Sequence, residues 1–235
     1  FFKQKTAYVI MPSLVGSEMC IRDRYKVIRD AILSRRLAPG TRLSIPELSR
    51  QLEISRSPVR EAIARIEYEG LAESVSHRGA VVVEIGLDEL IAIYDVREVL
   101  EGLAARLATR AADAAFIDVL ERNWQAHHDA VKADDVEQHM KLDAAFHRHV
   151  REASGNLRLS ENLRQLQGQI RVAMTTTVAR RGGMPAALAE HRSLIDAIRS
   201  GDPATAEQVA REHITRLRES LHDAASAEHQ HTNER

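Results

Sequence analysis

The sequence predicts a mainly α chain: three short helices and one β-hairpin, followed by an all-α bundle of about six helices. Three observations carry this. Aromatic residues make up only 4% of the 235 residues while Ala, Leu and Arg abound, a composition that suits packed helices better than a sheet sandwich. Apolar residues recur at i, i+3, i+4 and i+7 through most of the chain. One stretch, Leu71–Val83, places strand-like residues on both sides of the polar turn Ser76-His77-Arg78-Gly79. This length has room for one large or two modest domains, each able to bury a core.

Residues 1–24 are excluded from the expected fold. Lys3 and Lys5 followed by Ala7–Gly16 form at most a weak secretory signal, because Pro12 interrupts the apolar run. The run Leu14–Arg24 resembles translated sequencing-adapter read-through. Folding is expected to begin at Tyr25, where Val27, Ile28, Ala31 and Ile32 mark a helix face that Ala38-Pro39-Gly40 closes. Thr41–Leu43 is a short extended piece. Ser44 then offers a cap for a second helix, with Pro46 in its first turn and Glu47 three residues on. After Glu53-Ile54 a third helix opens at Ser55 with Pro58 in its first turn, repeats Val59, Ala62, Ile63 and Ile66 on one face, and stops at Gly70. Three helices and a hairpin with a basic tip make a winged helix-turn-helix over residues 25–85.

Charge is distributed unevenly between the halves. Arg22–Ile85 holds 12 Lys/Arg against 9 Asp/Glu, and Gly86–Arg235 holds 19 against 24. The basic excess is small, so it permits nucleic-acid binding without requiring it. Within the third helix, however, Arg56 and Arg60 lie near the amino end, where a recognition helix meets base edges. Cys20 is the only cysteine, which rules out an internal disulfide and a thiolate cluster. No apolar run approaches 18 residues, so no membrane partner and a cytoplasmic location are expected.

Leu37-Ala38-Pro39-Gly40-Thr41-Arg42-Leu43, then Ser55-Arg56-Ser57-Pro58-Val59-Arg60-Glu61-Ala62, then His77-Arg78-Gly79 resemble, in this order, the amino-terminal domain of GntR-family transcription regulators. In that family the start of the third helix touches major-groove bases and phosphates and the wing tip enters the minor groove. By position this implies Ser55, Arg56, Ser57 and Arg60 on the helix, and His77, Arg78 and Gly79 on the wing. The chemistry agrees, since arginine pairs bidentately with guanine and hydroxyls hold phosphates. Some members carry a basic residue in the second helix where this chain has Pro46, which leaves that contact to Arg42 or Arg50. Arg65 is expected to be salt-bridged or to face phosphate.

From Gly86 to Ala225 six helical segments are expected: Leu87–Arg110, Asp113–Ala133, Asp134–Ala153, Leu157–Ala179, Pro185–Ser200 and Ala204–Ala225. The polar tail 226–235 is expected to be disordered. Asp143 and His147 stand at i and i+4, on one helix face. His191 and His213 lie on two further helices, so three imidazoles and one carboxylate could converge on a divalent metal. His139 could compete for the ion. His127, His128, His149 and His222 are read as solvated, Trp124, Met140 and Met174 as packing, and Asn156 as a helix-end residue.

Asp143-x3-His147, His191 ahead of Leu194-Ile195-Asp196-Ala197-Ile198, and His213 on the last helix resemble the FCD effector-binding domain, the partner of this winged helix in the FadR subfamily. The resemblance implies that Asp143, His147, His191 and His213 hold zinc, nickel or a similar ion, and that Arg97 clamps the carboxylate of a small organic acid. Glu101, one turn after Arg97, offers that arginine an ordinary ion-pair partner instead. The reading is a ligand-controlled, non-enzymatic regulator, a repressor by resemblance, working as a homodimer on double-stranded DNA with a palindromic operator whose half-sites lie roughly 34 to 36 Å apart or closer. Two alternatives stand beside it. One is a metal-responsive regulator without an organic ligand. The other is a metal-dependent hydrolase with a DNA-binding tether, for which Glu190 is the nearest candidate base although it would tend to point to a different side of its helix from His191.

Overall fold

The structure, a computed structural model, describes residues 21–174 and 184–233. Its Cα framework separates into two compact units, one comprising the chain up to Gly86 with Gln167–Thr176, the other Leu87–Leu166 with the remainder. No described helix is long and apolar enough to cross a membrane. Residues 1–20, including Cys20, and the expected end of the fourth bundle helix at Ala179 lie outside the described residues.

In the first unit α1 (Ile21–Leu33), α2 (Ile45–Gln51) and α3 (Arg56–Tyr68) precede a hairpin of β1 (Ala72–Val75) and β2 (Gly79–Val82). α1 starts four residues before Tyr25, because Ile21-Arg22-Asp23-Arg24 contains no helix breaker. The apolar stripes read from the sequence meet in one core of Ile28, Ala31, Ile32, Leu37, Leu48, Val59, Ile63, Ile66, Leu71 and Val82. Burying each of the larger side chains is worth about 1.5 to 3 kcal/mol before chain entropy is counted. The strands pair antiparallel in the register Ala72↔Val82 to Val75↔Gly79. The tip closes where Arg78 N–H donates to Val75 C=O at 3.0 Å, with His77 at φ 62° and Gly79 at φ 73°. The left-handed conformation suits glycine, and histidine tolerates it better than a β-branched residue would.

Two details depart from expectation. The extended piece Thr41–Leu43 joins the hairpin as a third short strand: Arg42 bridges Val81, Leu43 N–H donates to Ala80 C=O at 2.8 Å and Val82 N–H donates to Thr41 C=O at 2.8 Å. No capping box forms at α2, since Ser44 makes no side-chain cap and the Glu47 carboxylate accepts from Arg50 and Gln51 instead. Ser55 likewise has the extended backbone of a cap residue but no capping bond, which leaves its hydroxyl outward and exposed.

The second unit contains α4 (Leu87–Ala111), α5 (Ala114–Lys132), α6 (Val136–Ala153), the start of α7 (Leu157–Met174), α8 (Met184–Arg199) and α9 (Pro203–Asn233). Starts are capped by side chains. Asp113 accepts from Phe116 N–H at 2.7 Å, Asp135 from Gln138 N–H at 2.9 Å, Asn156 from Leu159 N–H at 3.1 Å and Asp202 from Ala204 N–H at 3.0 Å, each contact satisfying an amide that the helix leaves open. Gly155 and Gly201, at φ 66° and 69°, end α6 and α8. Asp134, expected as the first residue of a helix, takes φ 52° in the turn between α5 and α6. α9 runs to Asn233, past the Ala225 where the sequence reading ended it, along residues that include no glycine or proline.

α4 packs along α9, and α6 and α8 pack on α4, with α5 closing against α6 and α8. Ala104, Ala105, Ala108, Leu120, Phe146, Val150, Leu194, Ile195 and Ile198 form the core. The small residues of α4 allow close helix approach: a Cβ on Gly102 would meet Arg211 Cγ of α9 at 2.6 Å. Four buried faces, of α4, α6, α8 and α9, thereby surround one polar centre.

Candidate functional site

In the first unit Arg42, Ser55, Arg56, Ser57, Arg60, His77, Arg78 and Gly79 are each exposed. Ion pairing separates these arginines from their neighbours. Arg29, Arg50 and Arg65 are paired with Asp30 or Glu69, Glu47 and Glu69 respectively. Arg65 also lies over the Tyr25 ring, 4.0 Å from its centroid, and this fits its expected salt-bridged role. Arg50, the alternative to Arg42, is occupied by Glu47 at 2.6 Å. Among the described residues Arg42, Arg56, Arg60 and Arg78 have no such acidic partner. Four unneutralised guanidiniums, two outward hydroxyls and a glycine tip are suited to phosphates and base edges.

The second unit brings together all four residues of the expected metal set. The ligand atoms of Asp143 and His147 (α6), His191 (α8) and His213 (α9) lie within 4.8 Å of one another. Asp143 keeps 27% of its side-chain exposure, while the three imidazoles are buried. His147 Nε2 and His213 Nε2 face each other at 3.3 Å. Their other nitrogens point outward to carboxylates: His213 Nδ1 donates to Glu190 Oε2 at 2.6 Å and His147 Nδ1 lies 3.4 Å from Glu101 Oε1. The bond to Glu190 places a proton on Nδ1 of His213, and the Glu101 carboxylate favours the same position on His147. With both rings neutral and protonated there, the two Nε2 atoms that face each other are acceptors. Both nitrogens of His191 are buried without a partner, its Nε2 is 3.6 Å from Asp143 Oδ1, and its ring stacks on Phe146 with centroids 4.0 Å apart.

Arginines anchor both carboxylates. Arg97 Nε donates to Glu101 Oε1 at 3.1 Å, and Arg216 donates to Glu190 through Nη2 at 2.7 Å and also through Nε. Burial pushes the Glu101 carboxyl up, but His147 and Arg97 outweigh it and hold it at about 2. Asp143 and Glu190 are also lowered, against the burial that would raise them, by His147 and His213 and by His213 and Arg216 respectively. Burial holds His191 well below the ordinary imidazole range, aided by His213 and His147, and it lowers His213 against the pull of Glu190. Ionised carboxylates and neutral imidazoles are the forms a metal ion requires. Two facing Nε2 atoms, a buried ring with two open nitrogens and a carboxylate in reach fit a borderline divalent ion.

Arg97 pairs with Glu101, the ion-pair partner read from the sequence, and its Nη2 is buried and makes no hydrogen bond. Two sequence readings are corrected, for His127 and His139, and one, for Glu190, is extended. His127 is fully buried rather than solvated, with its Nε2 2.6 Å from His139 Nδ1; the 120, 123, 127, 130 spacing of buried α5 residues was the available signal. His139 therefore engages His127 and is absent from the four-residue cluster. Glu190 does point away from His191, but toward His213 and Arg216, which occupy both its oxygens. Both its oxygens accept from those two residues, so Glu190 backs His213 from behind and does not face the two Nε2 atoms as a base at a metal would. His149 is half-buried. Trp124 packs at the core edge and donates from Nε1 to Leu188 C=O at 3.0 Å, and Asn156 is the helix cap described above. The side chains of His222 and Met174 lie outside the described residues.

Comparison with known proteins agrees with both halves. Residues 22–82 match the family described as "Bacterial regulatory proteins, gntR family" and residues 92–216 match the FCD domain. The chain is 29% identical over 193 residues to the "Probable D-xylose utilization operon transcriptional repressor" of Paenarthrobacter nicotinovorans, covering 80% of this chain and 84% of that protein. It is 25% identical over 201 residues to the "HTH-type transcriptional repressor RspR" of Escherichia coli, covering 84% and 86%. The fold is similar to that of E. coli McbR/YncC, with a TM-score of 0.70 at 20% identity over 88% of this chain and 99% of that one. Family and relatives alike are transcription regulators and not enzymes. The chain belongs to the GntR family, in the FadR-type arrangement of a DNA-binding winged helix followed by an FCD effector domain.

Proposed function

We propose that this regulator is a homodimeric cytoplasmic repressor whose grip on a palindromic operator is controlled by a small organic acid bound at a divalent metal ion in the helical unit. Arg56 and Arg60, with Ser55 and Ser57, would meet base edges and phosphates in the major groove, while His77, Arg78 and Gly79 enter the minor groove and Arg42 holds the backbone. Asp143, His147, His191 and His213 would hold the ion, zinc or nickel by donor type. The ion, when bound, supplies open positions for a chelating carboxylate. Glu101 and Glu190 keep two imidazoles in the tautomer that directs Nε2 inward. Arg97 offers its buried Nη2 to the same acid.

The observation that carries this reading is the pair of inward Nε2 atoms at 3.3 Å, each backed by a carboxylate. Two neutral rings protonated at Nδ1 repel at that distance unless a cation lies between them. The repressor sense is supported by relatives named as repressors. An acid that binds more tightly to one arrangement of the dimer shifts DNA affinity by that difference alone.

A second reading, in which the metal is structural or is itself the signal, is favoured by the Arg97–Glu101 bond, since the clamp is already engaged. Fluorescence anisotropy on DNA flanking the protein's own gene separates the two. With metal present, adding organic acids is expected to change operator affinity; a change seen only on chelation supports the metal-only reading. Affinity for that DNA no greater than for random duplex would remove operator binding itself.

A further inference from the structure

Arg151 lies on α6 one turn after His147 and two turns after Asp143, at successive i+4 positions, so it shares the helix face that carries two of the metal ligands. It is 8% exposed. Its Nη1 is buried without a hydrogen-bond partner, and among the described residues no carboxylate pairs with it within 4.0 Å. The nearby carboxylates are engaged elsewhere: Glu101 with Arg97 and His147, and Glu152 with Arg148. Burial lowers its basicity, with Glu101 and Glu152 opposing that and Arg148 and Arg97 reinforcing it. A water molecule can satisfy an N–H but cannot neutralise a buried guanidinium, and an uncompensated buried charge is costly.

The charge around the centre gives the same answer. Arg97 and Arg151 contribute two positive charges, Glu101 and Asp143 two negative, and Glu190 and Arg216 cancel each other. With neutral imidazoles and the divalent ion proposed above, the pocket is left with two uncompensated positive charges. A monocarboxylate removes one of them. A dianion removes both.

We propose that Arg151 is a specificity-determining residue and that the effector is a small dicarboxylate, one carboxylate at the metal and Arg97, the other on Arg151. This rests on the organic-acid reading of the same site. A guanidinium can offer two parallel N–H donors to a planar carboxylate, which a neutral amide in the same place does not match.

The test is calorimetric titration of the full-length, metal-loaded protein with malonate, succinate and glutarate and with the monoamide of each. At least one diacid is expected to bind about tenfold or more tightly than its own monoamide, the difference between a charge-assisted and a neutral contact. R151Q is expected to abolish that preference while leaving bound metal and monoamide affinity unchanged. R151M, in metal- and acid-free buffer, is expected to melt at or above the wild-type temperature, because it removes a buried unpaired charge. Equal affinity of each diacid and its monoamide for the wild type overturns the Arg151 assignment alone. So does R151Q weakening both alike, or R151M melting lower, which would make the residue packing scaffold. Binding of none of the six compounds to the wild type overturns the organic-acid reading and this inference with it.

Discussion

His191→Leu distinguishes a metal ligand from a packed core histidine by the sign of its effect. His191 is 1% exposed, stacks on Phe146 at 4.0 Å, and leaves both ring nitrogens without partners. A buried polar group without its bond costs about 1 to 3 kcal/mol. Leucine has a similar volume and an apolar surface for the Phe146 ring. In chelator, H191L is therefore expected to stabilise the chain by about 1 to 3 kcal/mol, a rise in Tm of about 2 to 12 °C at ~2 to 4 °C per kcal/mol for a chain of this size. Wild type with free metal at about a thousand times Kd gains ~4 kcal/mol by mass action, or roughly 8 to 16 °C. The variant should lose most of that gain. Thermal melts in chelator and in zinc or nickel read both numbers. A metal-induced rise equal to wild type in H191L would remove His191 from the ligand set. A lower Tm in chelator would mean that the imidazole makes stabilising contacts of its own and that its open nitrogens are not the cost argued here.

Arg56→Ala or Arg60→Ala is expected to weaken operator binding by about 1 to 3 kcal/mol if the lost contact is to a base, with relaxed preference at one base pair; a purely phosphate contact weakens all duplexes alike and lowers the salt slope by about one. Titrations at several salt concentrations decide between them, and unchanged binding takes that residue off the reading surface. Glu190→Gln should lower metal affinity about 10- to 100-fold by releasing the tautomer of His213, and an unchanged metal dissociation constant would contradict that role. Glu121 accepts from Arg192 at 2.7 and 2.9 Å and also from Arg199. Those bonds, Arg192 first, hold its carboxyl at about 2 against about 4.3 in an unfolded chain. The folded value is depressed, so this stabilisation is fully present above about 4.3 and is lost as pH falls toward 2. Glu121→Gln should therefore lower the urea midpoint at pH 7 and converge on wild type near pH 2; a constant gap across that range would refute the assignment.

The legible parts of this chain are those in which one residue decides a local outcome. Gly79, Gly155 and Gly201 mark chain reversals because each adopts a left-handed φ, and the apolar stripes of α3 and α8 predict their buried faces. The convergence of Asp143, His147, His191 and His213 was visible because the first two share a helix face and the other two histidines lie at apolar stripes. Features that depend on a second element were not visible. Thr41–Leu43 is a strand only because β2 offers it partners. Glu190 becomes the support of His213 through a contact between α8 and α9. Arg151 stands beside Arg148 and Glu152 in the sequence, and only the fold shows that it is buried. His127 and His128 are chemically identical in sequence, and the phase of α5 buries one of them.

The centre is built from two similar arms. Arg97–Glu101–His147 and Arg216–Glu190–His213 each run from a guanidinium through a carboxylate to an imidazole whose other nitrogen faces inward. The first arm has an additional property, because Arg97 keeps a buried Nη2 unbonded while Nε holds Glu101. An acid that takes Nη2 competes for the same guanidinium that positions Glu101, and Glu101 orients His147. Under the function proposed above, metal and acid would be coupled through these three side chains, and linkage requires the factor by which acid changes metal affinity to equal the factor by which metal changes acid affinity. Arg97→Gln should reduce that factor without removing any of the four proposed metal ligands. Calorimetric titration of each ligand with and without the other closes the cycle. A factor of one in the wild type would show that the arm supports the metal and takes no part in sensing the acid.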